Sequence, residues 1–201
     1  MQLQYITIEK EIGEGERMAV YKQVISRLNI GPTSNPVALV QYSDYAGVEF
    51  FLNTFRTKDE VLHRIVSGIT YQNQETATDL ALLALHQDVF TLSNGARAHN
   101  AIPQLAVLFT DGYANNGDSA LYQAAEVHAR NITLISVGIG SGINDQELIG
   151  YASHPRKEPF YIDECYLLRS HDMMCCIQGF SEMAEAFAFE LEQRSCTGKR
   201  Y

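Results

Sequence analysis

"QLAVLFTDGYANNGD", residues 104 to 118, is an apolar run that stops abruptly at Thr110, Asp111 and Gly112 and breaks into a loop of Asn, Gly and Asp. A short, nearly continuous apolar run reads as a strand buried on both faces, the kind found in parallel sheets. "VALVQYS" (Val37 to Ser43) and "ITLISVGIG" (Ile132 to Gly140) have the same character. Between and around them lie helical patterns: "MAVYKQVISRLNI" (Met18 to Ile30), "TKDEVLHRIVSGI" (Thr57 to Ile69), "TATDLALLALHQDVF" (Thr76 to Phe90), "SALYQAAEVHARN" (Ser119 to Asn131), the short "NDQELIGYAS" (Asn144 to Ser153) and "FSEMAEAFAFELEQR" (Phe180 to Arg194). Strands alternating with helices predict an α/β fold, a doubly wound, mostly parallel sheet with helices on both faces. "VEFFL" (Val48 to Leu52) follows Val37 to Ser43 so closely that the two form a hairpin, which makes it the one antiparallel edge strand. "PFYID" (Pro159 to Asp163) is a further strand, and "LQYITI" near the start is either the central strand or a poor substitute for it. In such sheets ligands sit at the carboxyl ends of the strands. Asp111 stands at the end of a strand expected to be central.

The totals narrow the classes. The 201 residues are 46% hydrophobic, enough for one sizeable core, so a single domain over 1–196 with a tail at 197–201 is expected. A net charge of -9 argues against nucleic acid or an acidic membrane as partner. No apolar run reaches the ~20 residues of a membrane-spanning helix. The opening "MQLQYITIEKEIGEGE" has neither the basic nor the apolar region of a secretory leader, so an extracellular protein of this sequence has its leader upstream. The abrupt start and the basic end "TGKRY" suggest part of a larger multidomain chain. The four cysteines, Cys165, Cys175, Cys176 and Cys196, lie together near the end. Clustered and even in number, they fit disulfides of an oxidising compartment, with free thiols and a metal site as the other readings. Adjacent Cys175 and Cys176 do not pair with each other without strain; one is expected to pair with Cys165, which leaves the other for Cys196.

Four motifs, "VALVQYSD", "TATDLALLAL", "AVLFTDGYANNGD" and "ITLISVGIGSGINDQELIGYAS", occur in the order and at the spacing of one family. From about Glu11 to Arg194 the chain resembles a von Willebrand factor A domain of the extracellular matrix type, as found in matrilins, collagen VI and integrin inserts. The resemblance implies a Rossmann-like sheet. It also implies a divalent cation (Mg, Mn or Ca) at the top of that sheet, in the metal-ion-dependent adhesion site. That site is built from three loops: Asp-x-Ser-x-Ser after the first strand, a Thr before a long helix, and an Asp in a T-D-G turn. Such a cation takes carboxylate, hydroxyl and water oxygens and leaves a position for a partner's carboxylate.

Carried over by position, Asp111 matches the third loop and Thr76 the second, although Gln74 and Asp79 stand where the family has glycines. The first loop departs from the pattern. Thr7, Glu9 and Glu11 fall where Asp, Ser and Ser belong, so the site is incomplete, and Glu9 or Glu11 is the candidate substitute. The readings of Asp111 are therefore a working cation site, a vestigial one with no metal and Asp111 bonded to loop amides, or catalysis. The resemblance further marks Glu164 to Gly179 as an insertion before the last helix, and its Met173, Met174 and Ile177 as a contact surface.

Other residues have plainer readings. Asp118 is a helix cap or first-turn acid. Asn131-Ile132-Thr133 is an N-glycosylation sequon between a helix and a strand. The six histidines show no metal-ligand spacing and read as surface or cap residues. A phosphoryl-transfer enzyme using Asp111 would need a second Asp two residues on, where Tyr113 stands, and no nucleotide-binding or nucleophile-elbow motif is present. The chain is thus expected to be a non-enzymatic, extracellular protein-binding module with matrix or collagen-like partners. The alternative is an intracellular scaffold, in the cytoplasm, on the same fold.

Overall fold

The computed structural model describes residues 7–8, 25, 28–31, 34–69, 75–97, 104–110, 113–138 and 144–153. Asp111, Glu9, Glu11, the four cysteines, the strand at 159–163, the insertion at 164–179, the last helix and most of the first lie outside them.

Five strands form one sheet in the order β3-β2-β1-β4-β5. They are β1 (Thr7–Ile8), β2 (Leu39–Tyr42), β3 (Ala46–Phe50), β4 (Gln104–Thr110) and β5 (Ile132–Gly138). β1 is parallel to both β2 and β4, so "LQYITI" does supply the central strand. β4 and β5 run parallel in register over all seven residues, from Gln104↔Ile132 to Thr110↔Gly138. β3 is antiparallel to β2 and is the edge, as the short gap predicts. From the centre the chain winds to β2 and β3, then crosses back to β4 and β5. With right-handed crossovers this reversal puts helices on opposite faces and opens a crevice beside β1 at the strands' carboxyl ends.

The β1 pairing is short, and Tyr42 bridges over it: its hydroxyl donates to the Phe109 carbonyl of β4 at 2.8 Å. Around this centre Ala38, Val40, Leu82, Leu85, Ala106, Leu108, Ala124, Val127 and Leu134 form a continuous buried core.

The helices are α1 (Lys58–Gly68), α2 (Thr78–Ala84), α3 (Gly117–Ala129) and α4 (Asp145–Tyr151). α1 opens with a capping box, in which Thr57 and Glu60 each accept the other's backbone N–H. An ion pair of 2.7 Å between Arg64 and Glu49 ties α1 to β3. α2 begins at Thr78 rather than at the expected Thr76, and after Ala84 it widens into a π-turn over Leu85–Val89. In that turn the Phe90 N–H reaches back to the Leu85 carbonyl. His86 lies there, 2% exposed, with Nε2 2.8 Å from Gln123 Oε1 of α3. The expectation of a surface or cap residue is therefore corrected: His86 belongs to the buried α2–α3 contact. Asp118 sits in the first turn of α3, capped by Asn116, so it is the first-turn acid and not the cap. Among the described residues no helix is long and apolar enough to cross a membrane.

Candidate functional site

Parallel strands leave their carboxyl ends on one rim of the sheet, and three segments meet there. Ser43 to Tyr45 follow β2, residues 75–77 lead into α2, and residues 113–116 follow the T-D-G turn of β4. Each segment is irregular, so its backbone groups need partners from elsewhere.

The partners come from the neighbouring segments. The Ala77 N–H donates to the Ser43 carbonyl at 2.7 Å. The Glu75 N–H donates to Asp44 Oδ1 at 2.7 Å. On the other side the Thr76 N–H donates to Asn115 Oδ1 and the Asn115 N–H donates to the Thr76 carbonyl, both at 2.9 Å. Thr76 is thus held on both sides by residues distant in sequence, and it is 8% exposed. These same bonds explain the late start of α2: the amides of residues 76 and 77 are drawn to other loops before the helix begins.

Thr78, the first residue of α2, is 1% exposed and its Oγ1 has no hydrogen-bond partner. A buried hydroxyl left without a partner costs stability. Replacing Thr78 by the isosteric Val should therefore raise unfolding stability by about 1 kcal/mol, measured by urea unfolding. A loss of stability instead would mean that the hydroxyl has a water or an ion as partner.

The 113–116 segment rests on α4. Glu147 Oε2 accepts from the Ala114 N–H and from the Tyr151 hydroxyl, each at 3.0 Å, while Oε1 accepts from Asn144 Nδ2 at 2.9 Å. Burial and the nearby Glu147 carboxylate push the Tyr151 hydroxyl well above the usual tyrosine range, so it remains a donor at all ordinary pH. Exposed Tyr45 and Tyr113 stand on the two outer segments, at 56% and 64% exposure.

The register of β1 bears on the missing first loop. Thr7 pairs with Val40 and Leu108, each two residues short of the strand ends Tyr42 and Thr110. Thr7 is therefore a residue of the sheet and not of the rim, and counting along the strand makes position 9 the first that is level with those ends.

One comparison decides what this frame is. The von Willebrand factor type A domain model matches residues 16–170. The chain belongs to the von Willebrand factor type A family. Mouse matrilin-2 is 34% identical over 143 residues, 70% of this chain and 14% of matrilin-2. The collagen alpha-1(XXI) chain of Xenopus laevis is 32% identical over 142 residues, 70% of this chain and 14% of the collagen. The chain thus spans a small part of these extracellular matrix relatives. Proximal thread matrix protein 1 of the mussel byssus, solved with zinc in its metal-ion-dependent adhesion motif, superposes with a TM-score of 0.66 at 20% identity, over 76% of this chain and 41% of that one. At that identity it bears on the fold, which is the Rossmann-like von Willebrand A fold.

Whether this von Willebrand A domain fits a cation is a question of donors. Among the described residues no three His, Cys, Asp or Glu side chains come together to hold a metal. What the rim offers is oxygen: the hydroxyls of Thr76 and Thr78 on an anchored backbone, the second of them buried and unpartnered. Such donors suit a hard cation that also has a carboxylate, and in sequence Asp111 follows directly on Thr110 at the end of β4. The residues fit, with Asp111 and Thr76 as the holders.

Proposed function

We propose that the chain is one von Willebrand A domain over residues 1–196, with a tail at 197–201. It acts as a non-enzymatic protein-binding module of an extracellular matrix or cell-adhesion protein. Its partners are matrix or collagen-like proteins. At the rim a divalent cation (Mg, Mn or Ca) is held by Asp111 and Thr76. Glu9 takes the place of the missing first-loop Asp, Glu11 is the next candidate, and a partner's carboxylate completes the coordination. The observation that carries this reading is the anchoring of Thr76 by both neighbouring loops at the carboxyl end of the sheet. A ligand oxygen fixed before the metal arrives loses little freedom on binding it. The register of β1 favours Glu9 over Thr7. The similarity to matrix proteins favours an extracellular setting, in which Cys165, Cys175, Cys176 and Cys196 form disulfides and Asn131 accepts a glycan. Asn131 is exposed in the turn between α3 and β5, at the end of the sheet away from the rim.

The test is thermal melting in excess magnesium, manganese or calcium, each against chelator, beside Asp111→Ala. A ligand at 100 times its Kd adds about 2.7 kcal/mol. In a chain of this size that raises Tm by about 5–10 °C. The parent should show this rise with at least one cation and Asp111→Ala should not. No rise with any of the three removes the cation from the proposal and leaves partner binding to the loops alone.

A further inference from the structure

We propose that Glu147 is a positioning residue for the cation site: from α4 it fixes the loop behind Asp111 and, through that loop, Thr76. The inference rests on the cation reading above. Its geometry is independent of the metal.

The Glu147 carboxylate is held by three donors from three places. The Tyr151 hydroxyl comes from the last residue of α4, Asn144 Nδ2 from its cap, and the Ala114 N–H from the strand-end loop. The first two fix the side chain within its own helix. The third is the bond across to the loop, and a carboxylate acceptor makes it stronger than an amide–amide bond. From Ala114 the connection continues at once, because Asn115 makes the reciprocal pair with Thr76. The loop also lies close to Glu147 in another way. Gly117, at the start of α3, has no side chain, and a Cβ there would stand 2.9 Å from Glu147 Oε1. Tyr151, 1% exposed, anchors the far end, since its carbonyl is also 2.9 Å from His128 Nε2 of α3. A carboxylate with both oxygens committed in this way orients other groups, as outer partners of metal ligands do.

The test uses the whole chain with Glu147→Ala, Glu147→Gln and Tyr151→Phe. Two quantities are read: amide hydrogen exchange at Ala114 and Asn115 without metal, and the manganese dependence of Tm. Glu147→Ala should speed exchange at Ala114 at least tenfold and weaken the apparent manganese affinity about tenfold. Glu147→Gln keeps an acceptor oxygen and should restore most of both. Tyr151→Phe keeps the Ala114 bond but frees Glu147 on one side, and should loosen both by a smaller factor; it decides the matter if Glu147→Ala does not fold. Parent-like exchange and affinity in Glu147→Ala overturn the proposal. So does a Glu147→Gln that keeps its exchange protection yet binds manganese as poorly as Glu147→Ala, because charge and not position would then be the cause. A parent without any manganese shift sinks the cation reading instead, and exchange at Ala114 and Asn115 still decides whether Glu147 holds the loop.

Discussion

Leu108→Ala should lower unfolding stability by about 3–4 kcal/mol and Tm by about 10 °C. Leu108 lies in the middle of β4 with 0% exposure, inside the main core. Its backbone is level with Thr7 of β1 on one side and Ser136 of β5 on the other. Removing the isobutyl group takes away its transfer free energy and leaves a cavity that the surroundings fill only in part. The strands on both sides are hydrogen-bonded into the sheet and have little room to move inward. Urea unfolding with an unchanged m-value is the check. A loss below about 1 kcal/mol would mean that the centre of the sheet is not packed as described.

Gly95→Ala should cost about 2–4 kcal/mol for two reasons that add. Gly95 ends the short turn Leu92–Asn94 with φ at 93°, a left-handed conformation that a side chain disfavours. An added Cβ would also stand 2.8 Å from the Asn53 backbone nitrogen and 2.9 Å from its Cβ. Asn53 is not free to retreat, because its side-chain amide donates to the Ser93 carbonyl at 3.0 Å. A shift in the urea midpoint measures the cost. An unchanged midpoint would show that the Leu52–Thr54 turn can move away from residue 95 without loss.

Much of the sheet was legible because its signals are local. The apolar runs marked β2, β4 and β5, and the brief gap after Ser43 marked the hairpin. β3 came out two residues earlier than "VEFFL", at Ala46–Phe50, for a reason outside hydropathy. Leu52 is buried like a strand residue, but Phe51 and Thr54 bond each other and turn the chain there. The start of α2 was misplaced at Thr76 because the bonds that delay it go to Ser43 and Asn115, which no local pattern reveals. His86 was different. It lies on the apolar stripe of Leu82, Leu85 and Val89, so its burial had a signal in the spacing. At the site, the T-D-G motif and Thr76 stood out by resemblance. Glu147 did not, since its task depends on an amide 33 positions away in sequence. The same is true of Asn115 and Thr76, whose side-chain and backbone bonds join segments 39 positions apart.

The π-turn at Leu85–Val89 has a consequence for sequence length. A helix that widens for one turn contains one residue more than its axis needs, and each residue of a regular helix turns the chain by about 100°. Deleting any one residue from this turn would let the helix close up to its ordinary pitch. Everything beyond the deletion would then face a new direction relative to Leu82 and Ala81. Val89 and Phe90 could not both keep their places in the core. This stretch therefore behaves like a reading frame: substitutions within it are local events, whereas a single-residue deletion shifts all that follows as far as the next flexible loop.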